Sequence, residues 1–362
     1  MNNKKKIYFT PGPTQLHPSV EKYIRHALDE NVCSINHRSQ EFMEIFGNTV
    51  CSLKKLMNIP EEFSVFFLSS ATECMDRMIQ NCVEKNSLHF VNGAFAERYF
   101  KTAVELNKNA EKIESAFGEG FDFSNLKTGS LPELVCITQN ETSTGVALDL
   151  NDIYKIKKLF PETILSIDIV SSAPYVNPDF TIIDSAFFSV QKGFGLPAGL
   201  GVLIVNEKCI SKARVMHSKK VAGSYHNFVS LYDNAQKKQT SETPNVLGIF
   251  LLGKICEELI HYGIKKIRSE TEDKSKLIYD CLDKNSKLNA FVKSNELRSK
   301  TVIAVNTGDK QKIVKKMLLD EGLIVGSGYG KLKDSQIRIA NFPMHKHEDI
   351  STITQILNNM KD

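Results

Sequence analysis

Nothing in the 362-residue chain approaches the run of about 18 apolar residues that a bilayer-spanning helix needs. Its opening, "MNNKKKIYF", holds no apolar signal core, so export is not expected. Charge of one sign is also scarce. The net charge is +4, from 46 basic and 42 acidic residues, too slight a bias to argue for nucleic acid or a membrane surface as partner. Lys4-Lys5-Lys6 reads as a solvated terminus. Eight cysteines stand at 33, 51, 74, 82, 136, 209, 256 and 281 without one C-x-x-C pair. That excludes a zinc-ribbon pattern and a disulfide framework, and points to reduced thiols in a cytoplasmic protein. The histidines show no metal-ligand spacing, and no metal is expected. His345 and His347, two apart before a helix, read as exposed. Repeats and low-complexity tracts are absent, and only "KGFGLPAGLG" is dense in glycine and proline.

With 41% hydrophobic and 24% charged residues, the chain has the composition of an ordinary globular protein with a full core. Short apolar runs alternate with segments of helical period through its first two thirds. The runs are "SVFFL" (64–68), "LHFVN" (88–92), "LVCIT" (134–138), "ILSID" (164–168), "AFFSV" (186–190) and "GVLIV" (201–205). Thr72–Glu84 and Leu150–Leu159 have helical period. Continuous apolar strands separated by helices predict an α/β fold with a mostly parallel central sheet covered on both faces. Past Thr243-Pro244 come a long apolar helix, a charged helix from Ile264 to about Asp283, and a smaller alternation. That alternation is "TVIAV", a helix over Lys310–Glu321, "QIRIA" and a last helix from about Glu348. The expectation is a large domain over 18–259 and a smaller α/β domain from 260–362 joined by 1–17. The apolar helix after Asn245 serves either a subunit interface or the core.

The stretch "FFSVQKGFGLPAGLGVLIV" puts Lys192 at the end of an apolar strand, ahead of a glycine-rich loop. A lysine at a strand-to-loop turn is ordinarily a surface residue. Here its flanks are apolar, and a desolvated lysine becomes a nucleophilic amine suited to a Schiff base. The loop is no dinucleotide fingerprint, because its spacing is G-x-G-x-x-x-G and a strand follows it. A Schiff-base lysine suggests pyridoxal 5'-phosphate, whose ring nitrogen needs a carboxylate. Asp168, ending "ILSID", can supply it, although a strand-end Asp is usually a turn residue. The cofactor phosphate needs backbone N–H groups at a helix start, and Ser70, Ala71 and Thr72 stand between a strand and a helix. The alternative there is a plain N-cap. Phe95, just after a strand, could stack on the ring. Arg338, inside "QIRIA", would be costly to bury without an anion such as a substrate carboxylate.

Taken together these residues resemble the class V aminotransferases of the fold-type-I pyridoxal phosphate enzymes. The resemblance runs along nearly the whole chain. "TPGPTQLHPSV" is similar to the family's N-terminal P-G-P segment, and "NHRSQEF" to its S-H-R-S-x-E-F motif. "SSATECM" stands where the family has its phosphate cradle, and "NGAFAER" matches N-G-x-[FW]-G-x-R, with Phe95 in the stacking position. The resemblance implies that Thr142, in "NETSTGV", bonds near the cofactor's phenolic oxygen. It implies that Asp168 holds the pyridinium, that Gln191 lies near the phosphate, and that Lys192 is the imine-forming anchor and general base. It also implies that Thr243, in "ETPNVLG", reaches a neighbouring subunit's phosphate in a homodimer, and that Arg338 binds the substrate carboxylate.

Within that family two substrate readings follow. Phosphoserine aminotransferases hold a second, substrate-borne phosphate, and His37-Arg38 match the pair they use, as "SVQK" resembles their A-Q-K. Their second His-Arg pair is missing here. The stretch "GSGYGKLKDSQIR" offers Tyr329, Lys331 and Lys333 instead. Either Lys331 stands in as the cation, or the substrate carries no phosphate, as for alanine– or serine–glyoxylate aminotransferases. The expected substrates are small amino acids and 2-oxo acids, with phosphoserine first. A cysteine desulfurase would need a cysteine on a mobile active-site loop. A non-catalytic binding protein on the same fold would have no use for Lys192, Asp168 and Arg338 together.

Overall fold

The structure is a computed structural model that describes residues 5–124, 126 and 128–360. A short strand, β1 (Ile7–Phe9), leads through a proline-rich turn to α1 (Val20–Asp29) and α2 (Gln40–Met57). Strands and helices then alternate: β2 (Ser64–Leu68), α3 (Ala71–Cys82), β3 (Asn86–Val91), α4 (Ala94–Glu105), β4 (Asn109–Glu114) and β5 (Leu134–Thr138). A small hairpin, β6 (Asn140–Glu141) and β7 (Val146–Ala147), precedes α5 (Leu150–Leu159), β8 (Ile164–Asp168), β9 (Ser185–Ser189) and β10 (Gly201–Val205). Four helices follow: α6 (Glu207–Ser218), α7 (Phe228–Ala235), α8 (Val246–Tyr262) and α9 (Ile264–Asp283). The last part runs β11 (Asn289–Ala290), β12 (Val302–Asn306), α10 (Gln311–Asp320), β13 (Leu323–Ser327), β14 (Gln336–Ala340) and α11 (His347–Asn358).

Seven strands form the main sheet in the order β2-β10-β9-β8-β5-β3-β4. Only β10 runs antiparallel to its neighbours. Every residue of β5, β8, β9 and β10 is buried, as strands covered on both faces require. Register divides them between two cores. Phe66, Leu203 and Phe187 lie side by side and face a core they share with residues of α3 and α6. One step along, Phe67, Val202 and Phe188 face the opposite core, shared with α2 and α8. A one-residue slip would exchange the two sets, so the pairing is strongly specified.

The second sheet has the order β1-β13-β14-β12-β11, with β1 parallel to β13. It joins the two ends of the chain, packing Phe9, Val305 and Ile339 into one core with α9 and α11. The apolar helix α8 belongs to the core. Ile249, Leu252 and Ile255 are fully buried, and the Thr49 hydroxyl of α2 donates to the Ile249 carbonyl at 3.0 Å. Cys33 and Cys51 are exposed, the other six cysteines are buried, and none is joined in a disulfide among the described residues. Lys5 and Lys6 are exposed, and Lys4 lies outside the described residues.

His345 corrects an expectation. It is buried, not exposed, with its ring stacked on Phe9 at 4.2 Å between centroids. Nδ1 accepts the Phe342 N–H at 2.9 Å, and Nε2 faces the Tyr8 carbonyl at 3.0 Å. The turn before α11 folds back over β1, and burial pushes the imidazole down to about 3. Helix α11 starts two residues later, so nearness to its start did not imply exposure.

Candidate active site

The carboxyl ends of the parallel strands β2, β8 and β9 deliver Ser70, Asp168 and Lys192 to one place, as open α/β sheets deliver ligand-binding residues. A cavity of about 370 Å³ opens there. It is lined by Ser70, Ala71, Thr72, Phe95, Thr142, Asp168, Gln191, Lys192 and Arg338 of the residues expected from sequence. Thr10, Pro11 and Gly12 of the N-terminal segment close one side. Gly12 has φ +124°, and a Cβ there would fall 2.7 Å from Lys192 Cε. Only glycine lets this turn lie against the lysine.

Lys192 sits in the turn between β9 and β10. Its Nζ lies 2.9 Å from both the Thr142 and Ser171 hydroxyls and 5.1 Å from the Phe95 ring centre. Burial drives the amine's pKa down, and Asp168 and Glu141 pull against that. Asp168 is buried at the end of β8, and one of its oxygens accepts the Val170 N–H at 2.8 Å. Burial pushes this carboxyl up, while the Val170 bond and the lysine charge hold it down. Among the described residues no donor meets its other oxygen.

Arg338, on β14 of the small sheet, donates from Nε to the Ser327 carbonyl (2.8 Å) and from Nη1 to the Thr142 carbonyl (3.1 Å). Its guanidinium lies 5.5 Å from the centre of the Tyr329 ring, which stands 5.5 Å from that of Phe95. Among the described residues no carboxylate pairs with it. A half-buried guanidinium in that state has the geometry to accept an anion.

Several residues were not legible as parts of this site. Glu141 is fully buried. One of its oxygens accepts the Phe95 and Ala96 N–H groups (3.1 and 2.9 Å) and the other accepts from the Ser143 N–H and hydroxyl. A carboxylate thus caps α4 and fixes where Phe95 stands. The signal available in sequence was one acid inside the uncharged run "ITQNETSTGVAL". The Ser171 hydroxyl bonds both Lys192 and Thr142. Ser189 accepts the Ala71 N–H at 2.7 Å, pinning the start of α3 to the lysine's strand. Tyr329 stands in the cavity wall, where sequence offered it only as a departure from a pattern.

Four expected residues lie outside this cavity. Arg38 donates to Asn234 (3.1 Å), Gln239 and the Thr240 carbonyl (both 2.8 Å), and His37 is beside it. The Lys331 Nζ stands 5.2 Å from the Phe117 ring centre, and Thr243 is exposed.

The chain matches the aminotransferase class-V family over residues 7–331. It is similar to the phosphoserine aminotransferase of Rhodococcus opacus (strain B4), with 25% identity over 360 residues, covering 96% of this chain and 93% of that one. A solved phosphoserine aminotransferase structure from Cytophaga hutchinsonii is 43% identical over 100% of both chains, with a TM-score of 0.96. The alanine–glyoxylate aminotransferase of Nostoc sp. shares the fold at 21% identity and a TM-score of 0.85, covering 99% of this chain and 96% of that one. The chain belongs to the class-V aminotransferases and is a transaminase whose cofactor is pyridoxal phosphate.

Proposed function

We propose that the protein is a phosphoserine aminotransferase. It would pass an amino group between L-glutamate and 3-phosphohydroxypyruvate in cytoplasmic serine biosynthesis, as a homodimer. Residues 18–259 would form the cofactor-binding body, and 1–17 with 260–362 the smaller one. The observation that carries amino transfer is the Lys192 amine at the cavity floor, with Asp168, Phe95 and Arg338 around it. The choice of phosphoserine rests on the full-length 43% likeness to the Cytophaga hutchinsonii protein. The cytoplasmic reading draws on the free thiols.

The residues fit pyridoxal phosphate. Asp168 keeps an oxygen without a protein donor on the cavity, Phe95 offers a flat face beside Lys192, and the backbone at the start of α3 faces the same space. When bound, the cofactor supplies an electron sink for the pair left on the substrate's α-carbon.

Asp168 would keep a proton on the ring nitrogen. Ser70, Ala71 and Thr72 would hold the phosphate at the positive end of α3. Phe95 would shield one ring face from water. Lys192 would anchor the cofactor through Nζ and, once freed by substrate, take the α-proton and return it. The hydroxyls of Thr142 and Ser171 aim Nζ, since each can donate or accept as its protonation changes. Arg338 would grip the α-carboxylate with its two-pronged guanidinium. Exposed Thr243, followed by Pro244, would complete a neighbouring subunit's phosphate site, with His37, Arg38 and Lys331 as candidates for the substrate phosphate.

One observation favours a second reading. Among the described residues, Arg338 and Lys192 are the only cations lining the cavity, which suits an unphosphorylated substrate and glyoxylate as acceptor. The test is a half-reaction followed by absorbance, with O-phospho-L-serine, L-alanine and L-serine mixed separately with the loaded enzyme. Conversion of the cofactor band by phosphoserine alone is expected. Preference for alanine or serine would transfer the protein to the glyoxylate reading.

A further inference from the structure

His226 has no part in the chemistry above, yet its surroundings are built around it. The side chain is 3% exposed, in the segment between α6 and α7. Nδ1 lies 2.6 Å from Glu73 of α3, and Nε2 lies 2.7 Å from Glu242, an ion pair more than an in-line hydrogen bond. Tyr225 stacks on the ring with centroids 3.9 Å apart. Arg77 of α3 stands 3.7 Å from the same Glu73 oxygen and donates to the Tyr225 carbonyl. The ionisable groups facing the imidazole are therefore Glu73, Arg77, Tyr225 and Glu242. Carboxylates this close to both ring nitrogens favour the imidazolium, because a neutral ring would turn a lone pair toward one of them.

The Glu73 carboxylate holds part of the proposed cofactor site, and Glu242 stands in the segment next to another part of it. The second oxygen of Glu73 accepts the Ser69 N–H and hydroxyl at 2.8 and 2.7 Å, while the Glu73 N–H donates to Ser70 Oγ at 3.1 Å. The turn from Ser69 to Thr72, of which Ser70, Ala71 and Thr72 line the cavity, thus takes its shape from Glu73. Glu242 directly precedes Thr243. Its carbonyl accepts from the Thr240 hydroxyl at 2.6 Å, and the Thr240 carbonyl in turn accepts from Arg38.

We propose that His226 is a positioning residue for the cofactor phosphate, an imidazolium that locks the Ser69–Thr72 turn to the Thr240–Pro244 segment. The inference rests on the cofactor site proposed above. Burial alone would lower the imidazole's pKa, but Glu242 and Glu73 outweigh it and raise it to about 9. A group raised above its ordinary value of 6.5 lends its hold fully below that value and loses it as pH climbs through about 9. The grip on the phosphate turn should weaken across that window.

The experiment compares cofactor dissociation constants of the wild type, His226→Gln and Glu242→Gln across that range, with thermal midpoints of the cofactor-free forms as a check on folding. At neutral pH His226→Gln should bind pyridoxal phosphate about tenfold more weakly, the size of one charge-assisted hydrogen bond. The ratio of the two affinities should approach one above the imidazole's raised pKa. Glu242→Gln should show the same convergence at lower pH, because it removes one of the two carboxylates that keep the proton on.

A ratio of one throughout overturns the proposal, and so does a ratio that does not change with pH, the mark of a merely structural loss. Should His226→Gln fail to fold, Glu242→Gln carries the test, and an unshifted alkaline weakening overturns it. A wild type that takes up no cofactor fails the proposed function as well. Normal uptake with unaffected variants fails this proposal alone.

Discussion

Two buried lysines in different regions of the molecule look alike by most measures. Lys192, between β9 and β10, is 6% exposed, and Lys274, on α9, is 3% exposed. Burial pulls both amines below the ordinary lysine value, that of Lys274 to about 8. Each borders a cavity, and that of Lys274 is the larger, about 590 Å³ against about 370 Å³. The difference lies in what Nζ touches. Lys274 donates to the carbonyls of Phe342 and His345 at 3.2 and 2.7 Å, groups that only accept, and so ties α9 to the turn before α11. Lys192 meets two hydroxyls that can accept or donate, within the field of Asp168. A lowered pKa marks burial. Partners that tolerate both protonation states mark an amine that can do chemistry.

The strongest test of that contrast is Lys192→Ala. Turnover should fall by at least about 10³-fold, within the range of a positioned acid–base group, and covalent attachment of the cofactor should vanish. Single-turnover absorbance with an amino-acid substrate reads both, and near-normal turnover would end the comparison. Next comes Asp168→Asn, which keeps the shape of the side chain and removes its charge. Cofactor binding should persist while kcat drops by about 10²-fold, the scale of losing one preorganised electrostatic partner. Weakened binding with unchanged kcat would instead make Asp168 a structural cap.

Arg338→Lys probes the same site from the small sheet. The charge stays but the two-pronged geometry goes, so KM for the amino-acid substrate should rise about tenfold or more, with cofactor affinity unchanged. Steady-state kinetics beside a cofactor titration separate the two. An unchanged KM would mean that Arg338 serves only the Ser327 and Thr142 carbonyls it already bonds.

The contrast also explains which parts were legible from sequence. "LVCIT" and "ILSID" could be read as strands because burial on both faces leaves an unbroken apolar run, and they fall on β5 and β8. β4, "NAEKIE", could not, since an edge strand with one polar face lacks such a run. β13 and β1 escaped notice too, the first for lying hard against α10, the second for being three residues long. Lys192, Asp168, Phe95, Thr142 and Arg338 stand on strand ends, or in motifs whose spacing carries their place. Ser171 and Glu141 act across the fold, and a sequence does not display that Glu141 caps a helix 46 residues upstream. His226 is a stronger case, because the two carboxylates that define it come from separate segments.

Lys274→Met is expected to do least to catalysis, and it tests the comparison from its quiet side. Turnover and KM should match the wild type, because the Lys274 amine bonds the Phe342 and His345 carbonyls, neither of which lines the Lys192 cavity. Stability should differ in a way set by sign. The folded value of about 8 lies below the lysine's ordinary 10.5, so between them the unfolded chain binds more protons and folding gains as pH rises. Methionine has no proton to lose. Wild-type stability relative to the variant should therefore climb across that window by at most about 1.4 kcal/mol per pH unit. Urea denaturation of the cofactor-free proteins would read it. A flat difference would mean that the two carbonyls keep the amine charged at every pH, whereas a collapse of turnover would place Lys274 in the machinery and erase the distinction between the two lysines.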